Sequence, residues 1–454
     1  MRVAEGALAW EGARACGCRL EPCLQRRRRA MPSAEQLAAA HRWLADRGAR
    51  VSSVALRDAG EGRGAGVVAT VSVSAGAAVA SFPLALARAG AALTPEAPSE
   101  AADHRVALMA WLAAQRRMGS ASGFAPWVAA LPQCFAAPFF WDAGSAARLL
   151  GGTSLASAVP AQRAWADEAL EAARPLFAAM LEEGGSEGGD RSELTAAEFR
   201  WAFGVFWSRA MGLPVGEDDA GVVEAILPGV DFCNHRGKGS NARWELLGAD
   251  GGAEADGDGE GGDHAEPRYG LVATRDIDEG EEICISYGDA NAKSNEELLF
   301  LYGFVEEDEA RDALALALPL GSETHATALR EIGLLPRVVL RRPSEGGCSV
   351  ELSEMELASL CVLAAEPERA ARFAIGEATI DEADQERGMA LLAAAVRAAL
   401  DAMEEGSATS GDDAATAALP SGAAEAAARY RSGASSVARS VLNVMAAAVE
   451  AGET

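Results

Sequence analysis

The spacing of apolar residues along the chain alternates between helical and strand-like segments. Leu37, Ala40 and Leu44 share one helical face, which predicts a helix over residues 33–47. Helical spacing returns between about 99 and 212, where aromatic residues recur three and four positions apart. Aromatic stripes of this kind are usually core, so we interpret this segment as a packed helical insert.

Strand-like runs flank the helical insert on both sides. They cover 51–56, 67–73 and 78–82 before it, and 241–247, 268–275 and 282–287 after it. A short helix is predicted to follow at 295–302. Residues 248–266, rich in Gly, Asp and Glu, interrupt a hairpin and are too polar to bury, so they are predicted to form a disordered loop. We therefore expect residues 49–305 to form one β domain with a helical insert over about 99–212.

The last part of the chain, residues 306–454, has a different character. It is rich in Ala, and Met389, Leu392 and Val396 are spaced as one face of an amphipathic helix. We expect an all-α C-terminal lobe there. Residues 1–48 are expected to form a partly disordered leader followed by the first helix. The fold class predicted for the chain is α+β.

Charge and hydropathy narrow the choice of partners. The 454 residues carry a net charge of −27, which repels the phosphates of nucleic acid and is compatible with a basic protein segment. No uncharged apolar run approaches the roughly 18 residues that a membrane-spanning helix needs. We expect no nucleic acid or membrane as partner, and we expect a monomer.

The eight cysteines are scattered and suggest no disulfide framework, which favours a reducing, intracellular compartment. Cys16, Cys18 and Cys23 have metal-like spacing but no fourth ligand nearby, so no metal is expected. Four arginines at 26–29, with no long apolar stretch, do not make a secretory signal. An organelle transit peptide and translation from Met31 both stay open, so the chloroplast, the cytoplasm and the nucleus are all candidate compartments.

Two segments in the first half of the chain carry candidate chemistry. The glycine turn ends in Gly64-Ala65-Gly66, where backbone amides can approach a ligand closely, although a tight hairpin is the commoner reason for such a turn. Arg209 ends the aromatic helix and can grip a carboxylate through two hydrogen bonds. A lone arginine at a helix end more often caps carbonyls or is solvated.

Two later segments add polar groups at the ends of apolar runs. Residues 231–235, Asp-Phe-Cys-Asn-His, place three polar side chains where each needs a partner, either in a structural network or in a ligand site. Tyr287 ends a strand-like run, where its hydroxyl can orient a reacting group or simply face water. Tyr302 and Phe304 follow the next predicted helix.

Taken in order, these segments resemble the motifs of the SET domain, in the branch of the Rubisco large-subunit methyltransferases. The glycine turn with Val67-Val68-Ala69 is similar to the first motif of that branch, and residues 231–235 to its asparagine–histidine motif. Residues 280–288 and 294–304 resemble the two motifs that follow, and the helix around 428–431 resembles the C-terminal substrate-binding domain. Four motifs in the same order rarely coincide by chance, and the resemblance covers residues 50 to 450.

The resemblance implies small β-sheets in which the Asn234-His235 segment threads beside the strand of Tyr287 as a pseudoknot, an exception to the rule that chains avoid threading. It implies S-adenosylmethionine as cofactor, with the adenine walled by two of the aromatic residues. The cofactor-binding residues that it implies are Gly64, Gly66, Arg209, Asn234, His235, Tyr302 and Phe304. One departure stands out, because Arg63 occupies a position where the branch often has an acid.

The same resemblance implies that Tyr287 is the catalytic residue, at the channel where a protein substrate meets the methyl group. Methyl transfer needs alignment more than a strong base, so proximity is expected to matter most. The implied substrate-binding residues are Tyr287, Met211 and Asp231, whose charge can attract a cationic side chain. Met211 is apolar where a histidine-modifying relative has asparagine, which favours lysine as the target.

Three alternatives stay open from the sequence. The first is a protein-histidine methyltransferase of the same fold. The second is a binding module that keeps the fold without turnover, although the presence of Tyr287, Asn234 and His235 counts against it. The third is a helical scaffold in which residues 306–454 act alone.

Overall fold

A computed structural model describes the chain in ten stretches. They are residues 31–60, 63–89, 103–183, 192–214, 222–247, 268–288, 293–342, 351–407, 419–420 and 422–451. The predicted leader, its three cysteines and the predicted acidic loop over 248–266 lie outside the described residues.

The described part of the chain begins with one helix and four short strands. These are α1 (Ala34–Asp46), β1 (Val54–Asp58), β2 (Ala65–Ala69), β3 (Ala78–Pro83) and β4 (Arg88–Ala89). The start of α1 is fixed locally, because the Ser33 hydroxyl accepts from the Gln36 N–H while the Gln36 side chain accepts from the Ser33 N–H. The helix predicted over 33–47 is therefore confirmed.

Five α-helices lie in the described residues of the helical insert. They are α2 (His104–Met118), α3 (Ala125–Ala130), α4 (Ala143–Leu150), α5 (Leu155–Glu183) and α6 (Ala196–Arg209). Its aromatic residues are core, as predicted: the rings of Phe139 and Phe203 stack with centroids 4.0 Å apart, and both side chains are buried. The rigid packing of α6 fixes the position of its last residue, Arg209.

The chain then returns to strands and one helix. They are β5 (Met211–Pro214), β6 (Val222–Ile226), β7 (Asn234–His235), β8 (Ala242–Leu247), β9 (Arg268–Ala273), β10 (Glu282–Ile285) and α7 (Asn295–Tyr302). Three small sheets result, with strand orders β1-β2-β10-β7, β3-β9-β8 and β4-β6-β5. Every pairing in them is antiparallel except that of β7 with β10, which is parallel. The predicted α+β class with small sheets is confirmed.

The C-terminal lobe is mostly helical, but the prediction that it is all-α is wrong in one respect. Its described residues form β11 (Ala313–Ala317), α8 (Glu323–Ile332), β12 (Arg337–Arg341), α9 (Glu354–Ala364), α10 (Pro367–Ala374), α11 (Glu382–Ser407) and α12 (Ala423–Ala451). Strands β11 and β12 pair antiparallel across the helix between them. Ala-rich sequence favours helix locally, but buried Leu314 and Leu316 alternate with period two and need a partner strand.

Two hydrophobic cores divide the described residues, and α4 belongs with the lobe. Leu150 of α4 and Leu299 of α7 are buried among lobe residues. At this junction the Tyr430 hydroxyl donates to Oε2 of the buried Glu296 over 2.9 Å, and the Ser154 hydroxyl donates to the same oxygen over 2.7 Å. The lobe is therefore joined to the β domain through a buried polar contact as well as apolar packing.

A helix that crosses a lipid bilayer needs about 20 consecutive, predominantly apolar residues. In the part of the chain that the structure describes, no helix is both long and apolar enough to cross a membrane.

Two glycines that end helices are expected to differ in how much stability is lost when each is replaced by alanine. Gly303 and Gly333 both have left-handed backbones, with φ of +84° and +77°, so an added Cβ costs each about 1–2 kcal/mol. At Gly303 the Cβ would also lie 2.2 Å from the Ala136 backbone, whereas at Gly333 it meets nothing within 4 Å. We expect Gly303→Ala to lower the free energy of unfolding by about 2 kcal/mol more than Gly333→Ala.

Urea denaturation of the full chain, followed by circular dichroism, measures this difference. Equal midpoints for the two variants would contradict the tight packing at Ala136.

Candidate active site

The centre of the site is the parallel pairing of β7 with β10. Asn234 lies opposite Cys284, and His235 lies opposite Ile285. The β8–β9 hairpin separates the two strands in sequence, and the Asn241 N–H at its start donates back to the Cys284 carbonyl over 3.1 Å. The predicted meeting of the asparagine–histidine segment with the tyrosine strand is confirmed.

Tyr287 follows β10, and both its hydroxyl and its backbone N–H form hydrogen bonds to residues at β7. Its hydroxyl donates to the Cys233 carbonyl over 2.7 Å, and its backbone N–H donates to Nδ1 of His235 over 2.8 Å. Burial raises the pKa of Tyr287 well above its usual range, although the Arg209 guanidinium lowers it in part. The phenol is therefore protonated, and its oxygen keeps acceptor capacity for a second partner.

Arg209 lies beside this tyrosine with donors to spare. Nη1 donates to the Asp231 carbonyl, while Nε is buried and has no hydrogen-bond partner among the described residues. The side chain is 14% exposed. A buried cation with an unused donor suits a carboxylate ligand, which offers paired acceptors at fixed spacing.

Asp231 is placed differently from what the sequence suggested. Its carboxylate is fully buried, accepts from Trp127 Nε1 over 3.0 Å and from the Gly229 N–H over 2.8 Å, and lies 3.7 Å from Nη1 of Arg209. Burial raises the pKa of this carboxyl group above its usual value. A carboxylate held in this way is not presented to a substrate, so a direct contact is not supported. Asp231 instead helps to hold Arg209 in place.

Asn234 points its side chain toward the glycine turn. Its Nδ2 donates to Oε1 of Glu282 over 2.8 Å and to the Ala65 carbonyl over 3.3 Å. A Cβ at Gly66 would lie 2.8 Å from that Glu282 oxygen and 3.2 Å from Nδ2. Gly66 is therefore needed because these side chains fill the space above it, while Gly64, with φ of +87°, is needed for the shape of the turn.

His235 is enclosed rather than open to solvent. Its Nε2 lies 3.3 Å from Oε1 of Glu306, and only 2% of the side chain is exposed. Burial lowers the pKa of His235. The nearby Arg311 lowers this pKa further, whereas the Glu306 carboxylate raises it in part. Because Nδ1 accepts from the Tyr287 N–H, the proton of the neutral ring is on Nε2, facing the carboxylate.

Four of the predicted site residues form one aromatic cluster. The ring of Tyr287 lies 5.0 Å from that of His235 and 4.8 Å from that of Tyr302, measured between centroids. Phe304 closes the group at 5.7 Å from His235 and 5.9 Å from Tyr302. Burial raises the pKa of Tyr302 to about 12. Ring faces of this kind suit a planar heteroaromatic ligand.

Met211 opens β5, directly beyond the end of α6, and pairs with Ala225. Its side chain is partly buried against the core of the β domain, as is that of Tyr287. It thus supplies an apolar group close in sequence to Arg209, and its predicted contact with a substrate stays a prediction.

Two acidic residues of the site were missed by the sequence analysis. Glu282 bonds Asn234, and Glu306 faces His235, accepts from the Gly237 N–H over 2.6 Å and lies 3.2 Å from Nε of Arg311. Glu306 was assigned to the lobe, although it lies only two residues after Phe304. Its position directly after a recognised motif was the one available signal.

Comparison with known proteins identifies the domain that this site defines. Residues 64–288 match the SET domain family. A stretch of 118 residues is 31% identical to SET domain-containing protein 8 of Schizosaccharomyces pombe (strain 972 / ATCC 24843), covering 26% of this chain and 21% of that protein. The chain thus matches about a fifth of the length of this curated relative. Residues 64–288 therefore form a SET domain.

The arrangement of most of the chain is found in solved structures of Rubisco LSMT. A crystal structure of the SET domain of LSMT bound to lysine and AdoHcy superposes with a TM-score of 0.66 over 92% of both chains, at 18% identity. A structure of Rubisco LSMT bound to AdoMet gives a TM-score of 0.62 over 92% of both chains, at 19% identity. The protein therefore has the LSMT fold, with a SET domain followed by a helical lobe.

The enclosed histidine predicts a pH dependence of stability. Since the pKa of His235 is lower in the folded chain than its ordinary value of about 6.5, the unfolded chain takes up this proton more readily. The resulting contribution to stability is present above pH 6.5 and is lost as the pH falls toward the folded pKa. His235→Asn, whose Oδ1 can still accept from the Tyr287 N–H, should lose less stability between pH 7 and pH 5.5 than the wild type.

Melting temperatures across this range measure the difference, with His104→Asn at an exposed helix N-terminus as control. If His104→Asn and His235→Asn flatten the pH profile equally, the burial of His235 is not its cause.

Proposed function

We propose that this chain is an S-adenosylmethionine-dependent protein methyltransferase that modifies a lysine side chain. The observation that carries the proposal is the bond from the Tyr287 hydroxyl to the Cys233 carbonyl, at the point where β7 meets β10. It fixes a protonated phenol beside the cationic Arg209 and an aromatic cluster. The solved LSMT structures that share the fold hold AdoMet, AdoHcy and lysine.

The residues around this bond offer groups that match the parts of the cofactor. Arg209 has an unused buried donor for a carboxylate, and Asn234 contacts the glycine turn at the Ala65 carbonyl. The rings of Tyr302 and Phe304 suit an adenine. Bound S-adenosylmethionine would supply an electrophilic methyl group on a positively charged sulfur.

Tyr287 would orient the incoming amine. Its proton is committed to the Cys233 carbonyl, so only the oxygen lone pairs can face the substrate. An amine N–H donating to that oxygen is held with its own lone pair directed away, as an in-line displacement requires. Fixing this geometry in advance lowers the entropic part of the barrier.

Among the described residues, the site offers no histidine as general base. Nδ1 of His235 accepts from the Tyr287 N–H, and its Nε2 faces Glu306, so neither nitrogen is available to the substrate. The lysine would have to arrive neutral or lose its proton to solvent. Desolvation beside the Arg209 guanidinium lowers the pKa of an amine, which makes this deprotonation easier.

The choice of lysine is supported by the apolar, partly buried side chain of Met211. A polar amide at this position would be able to hold an imidazole through a hydrogen bond, and methionine cannot donate one. The helical lobe, which contacts the β domain through Glu296 and Tyr430, is the proposed binding surface for the protein substrate.

Radiolabel transfer from S-adenosylmethionine to proteins of a cell lysate tests the proposal. We expect the wild-type chain to label a protein, and Tyr287→Phe to reduce the initial rate about 100-fold, as removal of an orienting hydroxyl commonly does. Tyr269→Phe, which also truncates a buried tyrosine but on β9, is the control and should retain the wild-type rate.

Mass spectrometry of the labelled protein identifies the modified residue. Methyl-lysine supports the full proposal. Methyl-histidine would support the methyltransferase activity but would refute lysine as the target residue. Equal labelling by the wild type and Tyr287→Phe would refute the role of the phenol. A wild-type chain that binds S-adenosylmethionine in calorimetry but transfers nothing would be a binding module.

A further inference from the structure

An ion pair closes the glycine turn over the neighbouring strand. Nη1 of Arg63 lies 2.6 Å from Oε2 of Glu282, and Nη2 donates to the Ala59 carbonyl over 3.0 Å. The Arg63 side chain is 40% exposed, whereas that of Glu282 is only 12% exposed. The arginine thus sits at the surface of the turn and reaches inward to a largely buried carboxylate.

The second oxygen of this carboxylate extends the contact to Asn234. Oε1 of Glu282 accepts from Nδ2 of Asn234, whose other hydrogen is directed to the Ala65 carbonyl. Both partners are acceptors only, so the orientation of the amide is unambiguous. Its Oδ1 has no hydrogen-bond partner among the described residues and is left as a free acceptor.

The backbone of the turn is built around this network. A side chain at Gly66 would collide with the Glu282 oxygen at 2.8 Å. The arginine, the carboxylate and the amide therefore form one connected set, with Glu282 in the middle. Removing the arginine leaves a largely buried carboxylate without its ionic partner, which favours a different rotamer and releases the amide.

From this geometry we infer that Arg63 is a positioning residue for the amino-acid end of the cofactor. Acting through Glu282, it fixes the Asn234 amide so that Oδ1 accepts a hydrogen bond from an ammonium group. The ligand class is an α-amino acid attached to a nucleoside, whose carboxylate would go to Arg209. This inference rests on the proposed function, since it assigns a role within the same cofactor site.

Two ligands separate positioning of the amide from a general effect on the turn. S-adenosylhomocysteine carries the α-amino acid end, and 5′-methylthioadenosine lacks it. If Arg63 acts through the amide, its removal weakens the first ligand and leaves the second unchanged. A distorted turn or an unfolded domain would weaken both.

Isothermal titration calorimetry of the full chain with each ligand is the experiment. We expect Arg63→Met to bind S-adenosylhomocysteine about tenfold more weakly than the wild type and 5′-methylthioadenosine equally well. Arg63→Lys, which retains the charge, should recover part of the affinity. Arg57→Met is the matched control, because Arg57 is an exposed arginine on β1 at the position paired with Gly66.

Three results overturn the inference while leaving the proposed function intact. They are unchanged binding of S-adenosylhomocysteine by Arg63→Met, equal weakening of both ligands, and tighter binding, which would mean that the released Glu282 takes the ammonium itself. If the wild-type chain binds neither ligand, the proposed function fails, and the inference fails with it.

Discussion

The hydrogen bond from Tyr287 to the Cys233 carbonyl depends on the pairing of two strands, β7 and β10, that are not consecutive in the sequence. β7 lies parallel to β10, although the β8–β9 hairpin and the turn after it lie between them in sequence. Parallel neighbours need a long crossover, and here that crossover is a hairpin that packs on β3 in a separate sheet. The pairing of β7 with β10 brings the tyrosine to the asparagine and the histidine.

The electrostatics of the site follow from burial. Asp231, Glu282 and Glu306 are largely removed from water, and each carboxylate lies close to an arginine. These pairs hold acceptors and donors in fixed positions rather than adding much net stability, because desolvation offsets most of the attraction. Two polar groups of the site have no hydrogen-bond partner among the described residues. They are a donor on Arg209 and an acceptor on Asn234, and both can bind a ligand.

Local signals in the sequence were sufficient for much of the fold. The helix predicted at about 295–302 has these bounds in the structure, where Ser294 and Glu297 form a capping box and Gly303 ends the helix with a left-handed backbone. The β11–β12 pair was missed, since its strands pair across an intervening helix and each is short. The ordered resemblance of four segments to the SET motifs indicated the site, because it implied which residues should meet around a cofactor.

The contacts between these motifs could not be predicted in the same way. Packing between distant segments produces three of these contacts. They are the bond between Glu282 and Asn234, the approach of Glu306 to His235, and the burial of Asp231 against Trp127. Asp231 shows the limit most clearly, because an acid beside a predicted channel looks like a substrate ligand until its buried partners are known. Side-chain roles in such a site depend on the fold that surrounds them.

A crystal structure of the full chain with S-adenosylhomocysteine tests the central claim most directly. We expect the sulfur to lie beside the Tyr287 hydroxyl where β7 meets β10, with the amino-acid end between Arg209 and Asn234. A nucleoside bound elsewhere, or a Tyr287 hydroxyl turned away from both the Cys233 carbonyl and the sulfur, would contradict the account.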